Sequence, residues 1–217
     1  MGTSAAACGT SSRVNGAFER FEADVEVLRQ RKGCRLEFRS YPGRTNEEFA
    51  EIEDELRQRL GSPYPLHSDI RAVFGAAAST HLQWSLEAPG QPLTGTLRIE
   101  WLDLIICTDE ELRDSSCLLM TEDRRFDWIW EGNEVRIAFH QDGTYRLFYL
   151  GTGEGERHQM TTSLPDYTRA AFECLGLYGW QRFFLLEYTP PLDFPASFMR
   201  RFEEAFPGTP LPRWVNR

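Results

Sequence analysis

The sequence predicts an α+β fold: a single antiparallel-rich sheet with helices packed mainly on one face, and helical additions at both ends. Three observations carry this reading. Apolar residues recur at helical spacing up to Ala78, then at two-residue spacing in several runs. A tight-turn signal, Asp142-Gly143, joins two of those runs, as an antiparallel hairpin requires. Helices come first, strands follow, and a helix closes the series, and such segregation argues for α+β.

The elements follow in order. Residues 1–13 are small and polar and are expected to form a loose N-terminal tail. Phe18, Phe21, Val25 and Leu28 then mark a helix that Gly33 stops, and Leu36 and Phe38 mark a short strand. Thr45 and Glu48 form a capping box, in which each side chain satisfies the other residue's backbone N–H. The helix they open carries Phe49, Ile52, Leu56 and Leu60 inward, and Gly61 ends it. A second, shorter helix is expected within residues 65–78, with Ile70, Val73 and Phe74 inward. Strands are expected around Leu82–Leu86, Leu97–Trp101 and Phe126–Trp130, and then on either side of Asp142-Gly143. Ser163, Pro165 and Asp166 read as the start of a helix over Leu164–Leu175. Phe183–Leu186 reads as a final strand or a buried helical turn. Residues 14–189 thus form one domain, and residues 190–217 a C-terminal helix with an extended arm.

Composition narrows the function. The chain has 217 residues, 41% of them hydrophobic, and a net charge of −9. An acidic chain is repelled by phosphate backbones and anionic membranes, so neither nucleic acid nor membrane is an expected partner. There is no signal-peptide pattern and no apolar run of the roughly 20 residues that span a bilayer. The five cysteines are scattered without a C-x-x-C pair, as in reducing compartments. A cytoplasmic location is expected.

No motif points to catalysis, a metal or a cofactor. The four histidines are never at i, i+4 spacing, and no G-x-S-x-G elbow occurs. Gly151-x-Gly153-x-Gly155 follows a strand, but Glu154 and Glu156 would repel phosphate.

Charge distribution is more informative. Between Glu100 and Glu134 lie 11 acidic residues against three arginines, a local balance of −8. Of these acids Asp109, Glu110, Glu111, Asp114, Glu122, Asp123, Asp127, Glu131 and Glu134 are the candidate contacts for a basic protein partner. Trp128 and Trp130 lie among them and are natural anchors where exposed, although their alternation with Asp127 and Ile129 favours a core face.

The order of these elements resembles the SUKH superfamily, which joins bacterial immunity proteins to fungal regulators of the SMI/KNR type. The resemblance runs from Thr45 to Trp180. It comprises the helix ending in Gly61, the short helix Ile70–Ala78, Leu82-Gln83-Trp84, the strand Val135–Phe139, the Asp142-Gly143 turn and the closing helix Ser163–Leu175. Pro65-Leu66 reverses the usual Leu-Pro, and Ala77-Ala78-Ser79 replaces the usual Asn-Gly. The resemblance implies a non-catalytic immunity protein that binds and neutralises a cognate toxin, frequently a nuclease, with no cofactor. A regulatory scaffold of the same fold and a small cytoplasmic hydrolase with a site assembled only in three dimensions are the alternatives.

Overall fold

The computed structural model describes residues 4–61, 63–88, 90–106, 124–129, 133–140, 142–151, 157–186, 191 and 193–216. Seven strands form one antiparallel sheet in simple sequence order, β1 (Cys34–Pro42), β2 (Ala77–Leu86), β3 (Leu93–Ile99), β4 (Arg124–Trp128), β5 (Glu134–Phe139), β6 (Tyr145–Leu150) and β7 (Arg157–Gln159). The described helices are α1 (Ser4–Arg29), α2 (Asn46–Leu60), α3 (Ser68–Ala76), α4 (Leu102–Ile106), α5 (Leu164–Glu173) and α6 (Phe194–Ala205).

The helices form where the apolar spacing and the caps place them. Thr45 Oγ1 accepts from the Glu48 N–H while Glu48 accepts from the Thr45 N–H, and Gly61 closes α2 with φ 67°. Replacing Thr45 by Ala is expected to cost about 1 kcal/mol in thermal or denaturant unfolding, since the Glu48 N–H loses its side-chain acceptor. Ser163 caps α5 by accepting from the Asp166 N–H, with Pro165 in its first turn.

One expectation is corrected at the N-terminus. α1 begins at Ser4, so most of residues 1–13 is helix rather than a loose tail. Ala5-Ala6-Ala7 favours helix strongly, and buried Val14 and Ala17 extend the Phe21, Val25 and Leu28 stripe backwards. The boundary at residue 190 is also not one of packing. Phe198, Phe202 and Trp214 belong to the same core as the sheet, and the Trp214 indole N–H donates to Glu173 on α5. Phe183–Leu186 resolves into a 3-10 turn over Trp180–Phe184, followed by a single bridge from Leu185 to Met160.

Among the described residues, helices cover one sheet face and leave the other open. Leu82, Trp84, Leu97, Ile99, Val135, Ile137 and Leu147 are buried on the covered face. Rings from the helices meet them there: Phe21 of α1 against Phe38, Phe74 of α3 against Phe126, and Tyr167 of α5 against Phe126.

The sheet forks in the middle. β3 and β4 pair only at Ile99 and Asp127. Below that point the chain after α5 takes the free edge of β3: Thr96 N–H donates to Gly176 O at 2.9 Å and Tyr178 N–H to Thr94 O at 3.1 Å. Gly176 has φ 64°, and a Cβ there would lie 2.6 Å from Thr96 O, so the close approach requires glycine. The Trp84 indole N–H reaches Leu175 O at 2.7 Å and fixes the same segment from beneath.

Candidate interaction surface

The open face is set by a bulge. Arg125 pairs with Arg136 and Asp127 with Val135, so Phe126 is an extra residue in β4. One extra residue inverts the alternation beyond it. Phe126 and Asp127 are therefore both buried, and Trp128 turns outward.

This corrects the expected contact at Asp127. Its side chain is 0% exposed and unavailable to a partner. It sits where the two halves of the sheet join. Oδ1 accepts from the Arg98 N–H at 2.8 Å, and Oδ2 accepts from the Tyr167 hydroxyl of α5 at 2.6 Å. The carboxylate thus ties β3, β4 and α5 together. Burial raises its pKa to about 6; the two hydrogen bonds oppose that rise, and the nearby Glu100 charge adds to it.

Trp128 is 41% exposed, contrary to the core position its alternation favours. The Arg98 guanidinium lies over its ring, 5.3 Å from the centroid. Arg98 Nε and Arg125 Nε approach Glu100 Oε1 at 3.2 and 3.8 Å. Glu134 pairs with Arg136 at 2.5 Å, and Asp103 pairs with Arg44. The described acids of the 100–134 stretch are therefore engaged within the molecule. Asp109, Glu110, Glu111, Asp114, Glu122, Asp123, Trp130 and Glu131 lie outside the described residues, as do Gly153 and Gly155 of the glycine-rich loop.

What sequence reasoning missed is the arginine content of the open face. Register carries Arg39, His81 and Arg98 across β1, β2 and β3. Arg125, Arg136 and Phe148 continue across β4, β5 and β6, and Arg157 of β7 stacks on Phe148 at 3.6 Å. The signal was present in the sequence, because Arg35, Glu37 and Arg39 alternate with apolar residues, as do Glu134 and Arg136. The crowding of cations is felt at His81, whose pKa is lowered first by burial and then by Arg98.

Among the described residues no three His, Cys, Asp or Glu side chains converge on a metal-sized site, and no helix is long and apolar enough to cross a membrane. Cys34 and Cys174 are free thiols, the latter buried. Compared with known proteins, the chain matches no family model, no curated protein and no solved structure.

Proposed function

We propose that the protein is a non-catalytic binding protein of the immunity type, which neutralises a cognate toxin by covering it with the open face of the sheet. The observation that carries this reading is Trp128, a large aromatic side chain 41% exposed on the sheet face that no described helix covers, with the Arg98 guanidinium over its ring. Tryptophan and arginine are the residues most enriched at binding hot spots, and a prepositioned ring loses little freedom on contact. The order of elements that resembles SUKH proteins supplies the partner class. The acidic residues between 109 and 123 remain candidate contacts beside this face in sequence.

The test is co-expression with the product of the neighbouring gene, scoring survival and co-purification. Wild-type protein is expected to rescue growth and to form a stable complex. Trp128→Ala is expected to weaken the complex by about 30-fold, the scale of a hot-spot loss near 2 kcal/mol, with thermal stability unchanged. Rescue that is indifferent to Trp128 would remove the open face from the account. Absence of both rescue and complex would favour a regulatory scaffold with a different partner.

A further inference from the structure

Among the described residues, the open sheet face has the opposite sign to the net charge of the chain. The chain carries −9 in all. On the described open face, seven arginines stand against three glutamates, Glu37, Glu100 and Glu134. Described acids stand on other surfaces, notably α2, where Glu47, Glu48, Glu51 and Asp54 are exposed.

The three glutamates do not neutralise the face. Glu100 is only 6% exposed and is shared by Arg98 and Arg125, and Glu134 is taken by Arg136. Arg35, Arg39 and Arg146 are exposed and form no hydrogen bond or ion pair among the described residues. Two arginines are further held flat over aromatic rings, Arg98 on Trp128 and Arg157 on Phe148. Arg35 and Glu37 stand with Gln83, Ser85, Thr94 and Thr96 around a shallow depression on the same face, with Leu36 and Trp84 also lining it.

We infer that the open face docks a protein surface rich in carboxylates, with Asp and Glu side chains seated on the forked guanidinium groups of Arg35, Arg39 and Arg146. This rests on the binding function proposed above and fixes the chemistry of the partner at that face. It is the reverse of the basic partner expected from the acidic stretch at residues 100–134. Guanidinium pairs with carboxylate through two parallel hydrogen bonds, which gives both orientation and strength. The chain's overall negative charge does not prevent this. Screening confines interactions between exposed charges to about 8 Å at physiological ionic strength, so the local sign governs the docked state. Nucleic acid, the other polyanion with an affinity for arginine and aromatic rings, is long enough to run past this face onto acidic surface and is disfavoured.

The test measures fluorescence anisotropy of labelled poly-glutamate, with labelled oligothymidylate in a parallel arm, against the full chain. The variant is the double reversal Arg39→Glu, Arg146→Glu, which touches two side chains without structural partners, and its folding is checked by thermal unfolding. Poly-glutamate is expected to bind wild-type protein, to weaken with added salt, and to lose at least tenfold in affinity to the double variant. No binding of poly-glutamate, or binding that the reversal leaves unchanged, would overturn the inference. Tighter, equally arginine-dependent binding of oligothymidylate would overturn it in favour of a nucleic-acid surface. Trp128-dependent capture of a toxin together with failure of poly-glutamate would remove only the sign assigned to the partner. Success of poly-glutamate with no toxin captured would remove only the immunity reading.

Discussion

Replacing Asp127 by Ala is expected to destabilise the protein by about 3 kcal/mol below pH 4, where the carboxyl is neutral, because two buried donors, the Arg98 N–H and the Tyr167 hydroxyl, are left without an acceptor. Replacing it by Asn is expected to have the opposite sign at neutral pH. An amide oxygen can still accept from Arg98, and the amide nitrogen can donate to the Tyr167 oxygen. What Asn removes is the cost of ionising a carboxyl inside the fold. That cost has a definite pH window. Burial pushes the native carboxyl up to about 6, against the ordinary aspartate value of 3.8. Between those values the native state binds more protons than the unfolded state, so this group lowers stability as pH rises and then stops changing it. The difference corresponds to about 3 kcal/mol. Denaturant unfolding of both variants and wild type across pH 3–8 checks this. The Asn variant is expected to match wild type below pH 4 and to exceed it above pH 6. Equal stabilities of Asn and wild type across the whole range would show that Asp127 is not desolvated as described.

Gly176→Ala is expected to cost about 3 kcal/mol or more. The residue has φ 64°, where an L side chain is strained by about 1–2 kcal/mol before any contact is counted. Its Cβ would also fall 2.6 Å from Thr96 O and 2.7 Å from Thr96 C, atoms of a strand backbone that cannot rotate away. Relief requires the chain after α5 to leave the edge of β3, breaking the Thr96–Gly176 bond and pulling on the Trp84–Leu175 bond. Gly61→Ala is the matched comparison, with φ 67° but nothing within 4 Å of the added carbon. It should show the backbone term alone. Equal losses for the two variants in thermal unfolding would mean that the fork is not closed by this contact.

These two sites explain how much of the molecule was legible in the sequence. The helices were, because their signals are local: Thr45 with Glu48, Ser163 with Asp166, and the apolar stripe from Phe49 to Leu56 each act within one or two turns. The hairpin at Asp142-Gly143 was legible for the same reason, with Gly143 at φ 79°. The loose-tail expectation failed because the helix propensity of the Ala5-Ala6-Ala7 run outweighs the polarity of its neighbours. The inward position favoured for Trp128 failed on one inserted residue. A bulge is decided by how two strands meet, and nothing in Arg125-Phe126-Asp127 announces it. The burial of Asp127 depends on Tyr167, forty residues away, and could not be read locally. The open arginine face lay between the two cases. Its residues were visible at alternate positions, but their gathering needed the order of the strands.

The central claim is that the open face around Trp128 meets the partner, and site-specific photo-crosslinking tests it most directly. A photoreactive side chain is placed in turn at Trp128, at Arg146 on the open face and at Glu51 on the acidic outer side of α2, and each variant is co-expressed with the neighbouring gene product. Crosslinks from positions 128 and 146 and none from position 51 are the expected result. A crosslink from position 51 with none from 128 or 146 would contradict the account and move the interface to the acidic helix.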